Sequence, residues 1–156
     1  MSNLDAIVHG LNPAQRAAAL HQDGPLLVIA GAGAGKTRTA THRLACLLAR
    51  GVPPEAIMCI TFTNKAAREM RDRAIALVGA DARRVMIRTF HSAAMVLLRQ
   101  YIGEFPESGR TPAFSIADPT AQLALLKEAI AERNFDLKAN RPESFLWRIG
   151  RYKNEL

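Results

Sequence analysis

The sequence predicts an α/β fold, a parallel sheet flanked by helices, on three observations. Short apolar runs with β-branched members recur at LLVIA (26–30), IMCITF (57–62) and VMIRT (85–89). Helical patterns separate them. The first run leads directly into the small-residue stretch AGAGAGKT (30–37). Strand, helix, strand, helix, strand is the alternation that gives parallel strands with right-handed crossovers. Ligands of such sheets gather at the carboxyl ends of the strands, where helix N-termini also point.

Each element has local support. Asn12-Pro13 opens a helix, because Asn caps and Pro suits the first helical position; QRAAALHQ continues it until Asp23-Gly24-Pro25 breaks it. After the small-residue stretch, Ala40, Leu44, Leu47 and Leu48 share one helical face, and Gly51 is the stop. In NKAAREMRDRAIALVG, Ala67, Met70, Ala74, Leu77 and Val78 form the apolar face while Lys65, Arg68, Arg71 and Arg73 point elsewhere. Thr63 is its cap and Gly79 its stop. FHSAAMVLLRQYI is a further helix, and EFPESGRTPAF after it, rich in Pro, Gly and Ser, reads as a boundary. Asp118-Pro119 then opens the helix AQLALLKEAIAER and Pro142 the helix ESFLWRIGRYKNEL. The expected organisation is an α/β domain over 1–112 and the beginning of an all-helical subdomain over 113–156. No glycine or proline follows the last helix, which suggests a cut chain.

Composition narrows the class. The 156 residues are 49% apolar and 22% charged, a globular balance rather than a disordered one. MSNLDAIVHG has no basic flank before a long apolar run, so it does not read as a signal peptide, and no stretch has the length of a membrane span. Cys46 and Cys59 are far apart and the four histidines are scattered, which points to a reduced, cytoplasmic setting and against a zinc site. Net charge is +7, and residues 36–110, with 13 bases and 6 acids, carry a balance of +7 by themselves. A surface facing a polyanion would look like this, and so would an arginine-rich solvated surface.

The stretch from 30 to 37 carries the chemistry. Ala30, Gly31, Ala32, Gly33, Ala34, Gly35, Lys36 and Thr37 satisfy the P-loop pattern, with Ala30 where the strict form has Gly. Glycines let successive N–H groups turn toward phosphate oxygens, and the helix from Lys36 adds its positive end. Lys36 would reach the β- and γ-phosphates and Thr37 would offer its hydroxyl to Mg²⁺. The expected ligands are ATP and Mg²⁺.

LNPAQRAAAL, AGAGAGKTRTATHRLACLL, ITFTNKAAREMRDR and IRTFHSAAMVLLRQY, in this order and at this spacing, resemble the amino-terminal motor region of the UvrD/Rep/PcrA DNA helicases of superfamily 1. SIADPTAQLALLKEAI and SFLWRIGRYKNEL resemble the opening of that family's helical 1B insertion. The resemblance implies a RecA-like P-loop NTPase domain and unwinding in the 3′-to-5′ direction. It implies that Gln15 hydrogen-bonds the adenine edge and that Arg38 lies near the nucleotide. Phe62, Thr63 and Asn64, and Thr89, Phe90 and His91, match two motifs at strand ends that face single-stranded DNA. On their residues alone, Gln15 and Arg38 read as exposed helix positions, Thr63 as a cap and His91 as a solvated loop residue. The implied partners are single-stranded or 3′-tailed duplex DNA, and no membrane.

An apolar strand ending in Asp-Glu, which the family uses to hold metal and activate water, is missing; Asp81 after LVGA sits in a poor strand. The expectation is therefore a chain that binds ATP–Mg weakly, hydrolyses it negligibly, and self-associates through apolar surface that missing strands would cover. Two rivals stay open: a stand-alone ATP or single-strand binding module, and a small P-loop kinase acting on a metabolite.

Overall fold

The computed structural model describes residues 3–135 and 141–155. The chain divides into two compact units, Met1–Glu104 and Phe105–Leu156.

In the first unit two short helices, α1 (Asn3–Val8) and α2 (Pro13–Leu20), precede α3 (Lys36–Ala49). Strand β1 (Met58–Thr61) follows, then α4 (Asn64–Val78), β2 (Met86–Thr89) and α5 (Phe90–Tyr101). The strands pair in parallel, Met58 opposite Met86 and Thr61 opposite Thr89. The α/β alternation thus holds for its second and third strands. Helix ends fall where local chemistry puts them. Asn12 and Gln15 close a reciprocal capping box on α2. The Thr63 hydroxyl accepts from Ala66 N–H at the start of α4, and Gly79 ends that helix with φ 78°.

The run 26–30 does not form a strand. It pairs with no strand among the described residues, and Leu27 and Ile29 are 82% and 89% exposed. Apolar, β-branched composition fits a strand only where a neighbouring backbone supplies the ladder. The expected three-stranded order is corrected to a two-stranded sheet. Helix α1 went unforeseen, since six residues are too few to show a period.

Helix α3 lies between two apolar clusters. Leu44 joins Ile57, Ala67, Met70, Ala74, Val85 and Ile87 on the sheet side. Ala45 and Cys46 meet Ile7, Val8 and Ala19 on the other side. The buried surface of α3 is therefore wider than the single predicted stripe: Thr41 and His42 are buried, while Ala40 is exposed. His42 Nδ1 lies 2.6 Å from the Ile7 carbonyl, which can only accept, so Nδ1 carries the proton. Arg43 donates to the carbonyls of Ala18 and His21, and Arg50 to that of Leu20. These side chains satisfy carbonyls at the end of α2 that no helical N–H reaches. The core thereby fixes α2 against α3, which sets the glycine-rich loop that leads into α3.

In the second unit, α6 (Pro119–Glu132) and α7 (Pro142–Asn154) pack on each other. Asp118 caps α6 through Ala121 N–H at 2.8 Å. Arg151 bridges Glu155 on the exposed side of α7. Leu156, the end of the predicted last helix, lies outside the described residues.

Candidate phosphate loop and strand-end surface

The loop from Ala30 to Gly35 is built by two left-handed glycines. Gly33 and Gly35 have φ of 75° and 80°, a region costly for residues with a Cβ. Gly35 is the N-cap of α3 and its carbonyl accepts from Thr39 N–H at 2.9 Å. The N–H groups of Lys36, Thr37 and Arg38, in the first turn, have no helical carbonyl to receive them and form a positive end suited to an anion. Ala34 N–H reaches the Gly31 carbonyl at 3.4 Å, closing the turn.

Lys36 is folded into this loop. Its Nζ donates to the carbonyls of Ala30 at 3.0 Å and Gly31 at 2.7 Å. An ammonium has three donors, so it can engage a phosphate by exchanging or adding to these contacts. Thr37 is exposed beside it, and its hydroxyl could complete the shell of a Mg²⁺ carried in by phosphates. Among the described residues no cluster of three or more His, Cys, Asp or Glu could hold a metal ion.

Gln15 and Arg38 both sit at the loop's margin. Gln15 Nε2 donates to the Ala34 carbonyl at 3.0 Å. Arg38 Nη2 donates to the Gly10 carbonyl at 3.1 Å, which pins the guanidinium to the α1–α2 connection. Neither is the free surface residue that its immediate sequence allows.

The second group of predicted residues meets at the carboxyl end of the sheet. The ladder pairs Thr61 with Thr89, so the residues after them are neighbours. Phe62 is 90% exposed and its ring centroid lies 5.5 Å from that of Phe90, tilted by 52°. Asn64, Lys65, Arg68 and His91, on the first turns of the helices that follow the two strands, are exposed. Thr63 and Thr89 serve as helix caps. The Thr89 hydroxyl accepts from Ser92 N–H and donates to Ser92 Oγ, inside a buried turn, so its side chain is already committed. Arg71 turns inward and donates to the Ile87 carbonyl at 2.6 Å. Sequence reasoning missed Phe90 as a partner of Phe62. The signal was the repeated Thr-Phe at two strand ends, which a parallel register brings together.

The thiols play no part in either group. Burial raises the Cys59 thiol, and burial raises Cys46 against the opposing pull of Arg50 and Arg43. Both are free cysteines, and a raised thiol is a poor nucleophile at neutral pH.

The first unit is thus an α/β arrangement with a left-handed glycine loop at the start of α3 and an exposed aromatic pair at the end of its parallel ladder. The sequence matches the UvrD/REP helicase N-terminal domain over residues 11–156, and the chain belongs to that family. It is 47% identical over 151 residues to the ATP-dependent DNA helicase PcrA of Bacillus subtilis, covering 96% of this chain and 20% of that protein. It is 42% identical over 154 residues to the proteins of the same name in Staphylococcus epidermidis and Staphylococcus aureus, covering 98% of this chain and 21% of each. The chain spans about a fifth of the length of these relatives.

Proposed function

We propose that this chain is the ATP-binding part of an ATP-dependent DNA helicase that moves 3′ to 5′ along single-stranded DNA in the cytoplasm. The observation that carries the reading is the loop itself: two left-handed glycines, a helix start and an inward ammonium within one turn. ATP is held by the amides around Gly33 and Gly35, by Lys36 and, through Mg²⁺, by Thr37. Gln15, tied to the loop at Ala34, is the residue that meets the adenine edge, and Arg38 lies near the nucleotide. Single-stranded DNA, alone or as the tail of a 3′-tailed duplex, crosses the strand-end surface, with Phe62 stacking on a base and Lys65 and Arg68 facing phosphates.

Hydrolysis by these residues alone is negligible. Asp81 lies in a 3-10 turn, Gly79–Arg83, and not at a strand end, so it is not placed as a metal-binding acid. The same feature favours the second reading, an ATP and single-strand binding module without catalysis. A turnover assay with and without oligonucleotide tests the inactivity that both readings share: DNA-stimulated ATP hydrolysis by the pure chain would contradict both.

Phe62→Ala tests the DNA surface. Base stacking on an aromatic contributes about 1–3 kcal/mol, and the exposed Phe62 ring has little to lose in the fold. Oligonucleotide affinity is expected to fall about fivefold or more, and wild-type affinity to fall steeply with salt. Unchanged affinity in a fluorescence-anisotropy titration removes Phe62 from the interface.

The apolar run Leu26–Ile29 also has a consequence. Its exposure favours concentration-dependent self-association. Sedimentation velocity is expected to show a mass rising with concentration, and Leu27→Lys with Ile29→Lys to abolish the rise. A monomer at high concentration in the wild type refutes it.

A further inference from the structure

We propose that Gln15 is a positioning residue for the phosphate loop, acting before any base is bound. This rests on the phosphate-site reading above and adds to it a role that has nothing to do with adenine. The amide uses both of its ends. Oε1 accepts from Asn12 N–H at 3.2 Å, inside the capping box of α2, and Nε2 donates to the Ala34 carbonyl at 3.0 Å. The side chain is therefore a strut from the start of α2, which the core fixes, to the end of the loop just before α3.

Peptide geometry gives the strut its effect. In a planar trans peptide the carbonyl and the following N–H point in opposite directions. Pinning the Ala34 carbonyl toward Gln15 therefore turns the Gly35 N–H away from it. A phosphate-binding nest needs such successive N–H groups held to one side. Contact is close as well: a Cβ at Gly35 would lie 2.7 Å from Gln15 Nε2. The glycine here serves both the left-handed φ of 80° and the approach of the amide.

Holding the loop does not exhaust the amide. Its NH₂ has a second hydrogen and its oxygen a second lone pair. A base that engages those spare valences is thereby linked, through one side chain, to the orientation of the Gly35 amide. Occupancy of the base site and order of the phosphate site become one variable.

Inorganic tripolyphosphate with Mg²⁺ tests this, because it has no base. Gln15→Met keeps the length, net charge and backbone N–H that Asn12 caps, and removes both the donor to Ala34 and the acceptor for Asn12 N–H, of which only the first reaches the loop. Two readouts on the full chain are expected to move. Tripolyphosphate affinity by calorimetry falls roughly 2- to 10-fold, the range for losing the one hydrogen bond that reaches the loop. Hydrogen exchange of the Gly33–Lys36 amides, followed by NMR without ligand, becomes faster. Unchanged exchange overturns the proposal at any affinity, and so does unchanged tripolyphosphate binding, including when ATP binding alone weakens. Lys36→Ala, run alongside, separates the two readings: if it leaves tripolyphosphate affinity intact, the phosphate site itself is misassigned.

Discussion

Replacing Lys36 by alanine is expected to weaken ATP binding roughly 10- to 100-fold while leaving the fold nearly as stable as before. The two effects differ because the side chain is exposed. Its hydrogen bonds to Ala30 and Gly31 can be exchanged for water at each carbonyl, so their net loss is about 1 kcal/mol or less. A charge-assisted contact to phosphate has no such substitute, and contributes about 1.5–3 kcal/mol. Lys36→Arg is not a rescue. A planar guanidinium is larger than the ammonium, and the Ala30–Gly31 carbonyls accept a compact point donor. Titration with a fluorescent ATP analogue, beside a urea melt, reads both quantities. An affinity within twofold of wild type refutes the role of Lys36; a collapse in stability shows the lysine to be structural.

How far the fold was legible follows from the range of the forces involved. Local chemistry was readable. Asn12-Pro13, Thr63 and Gly79 mark helix ends because each cap acts within four residues. The spacing of Ala67, Met70 and Ala74 shows the buried face of α4 for the same reason. Residues 26–30 were misread because a strand is made by its neighbour, and the run itself holds no information about whether one is present. The loop at 30–37 was legible as a pattern, but its tie to Gln15 was not. That contact joins residues 19 apart, and it exists because Arg43 and Arg50 clamp α2 onto α3. Arg38 likewise depends on α1, too short to announce itself. At the other surface, Thr63 and Thr89 were foreseen as strand-end residues, but only the ladder register shows that Phe62 and Phe90 touch.

Ile87→Ala is expected to cost about 2–5 kcal/mol, the range for truncating a buried isoleucine. Ile87 is 1% exposed, packs with Leu44, Ala74 and Val85, and pairs with Cys59 across the ladder. A two-stranded parallel sheet is held chiefly by the side chains packed on it, since each strand has one partner. Against a typical total of about 5–15 kcal/mol, the loss is large. Trp147 is the one tryptophan and lies in the other unit, so its fluorescence is the wrong monitor. Exchange of the β1 and β2 amides reads the sheet directly and is expected to quicken by the corresponding factor. Arg88→Ala, at the exposed neighbouring position, is expected to change stability by about 0.5 kcal/mol or less. Equal effects at 87 and 88 rule out the packing account. The two substitutions also separate stability from binding. Ile87 touches the strand-end surface only through β2, which delivers Thr89 and Phe90 to it. Its truncation should lower oligonucleotide affinity only as far as it lowers the folded fraction, whereas Phe62→Ala should lower affinity in a chain that remains folded.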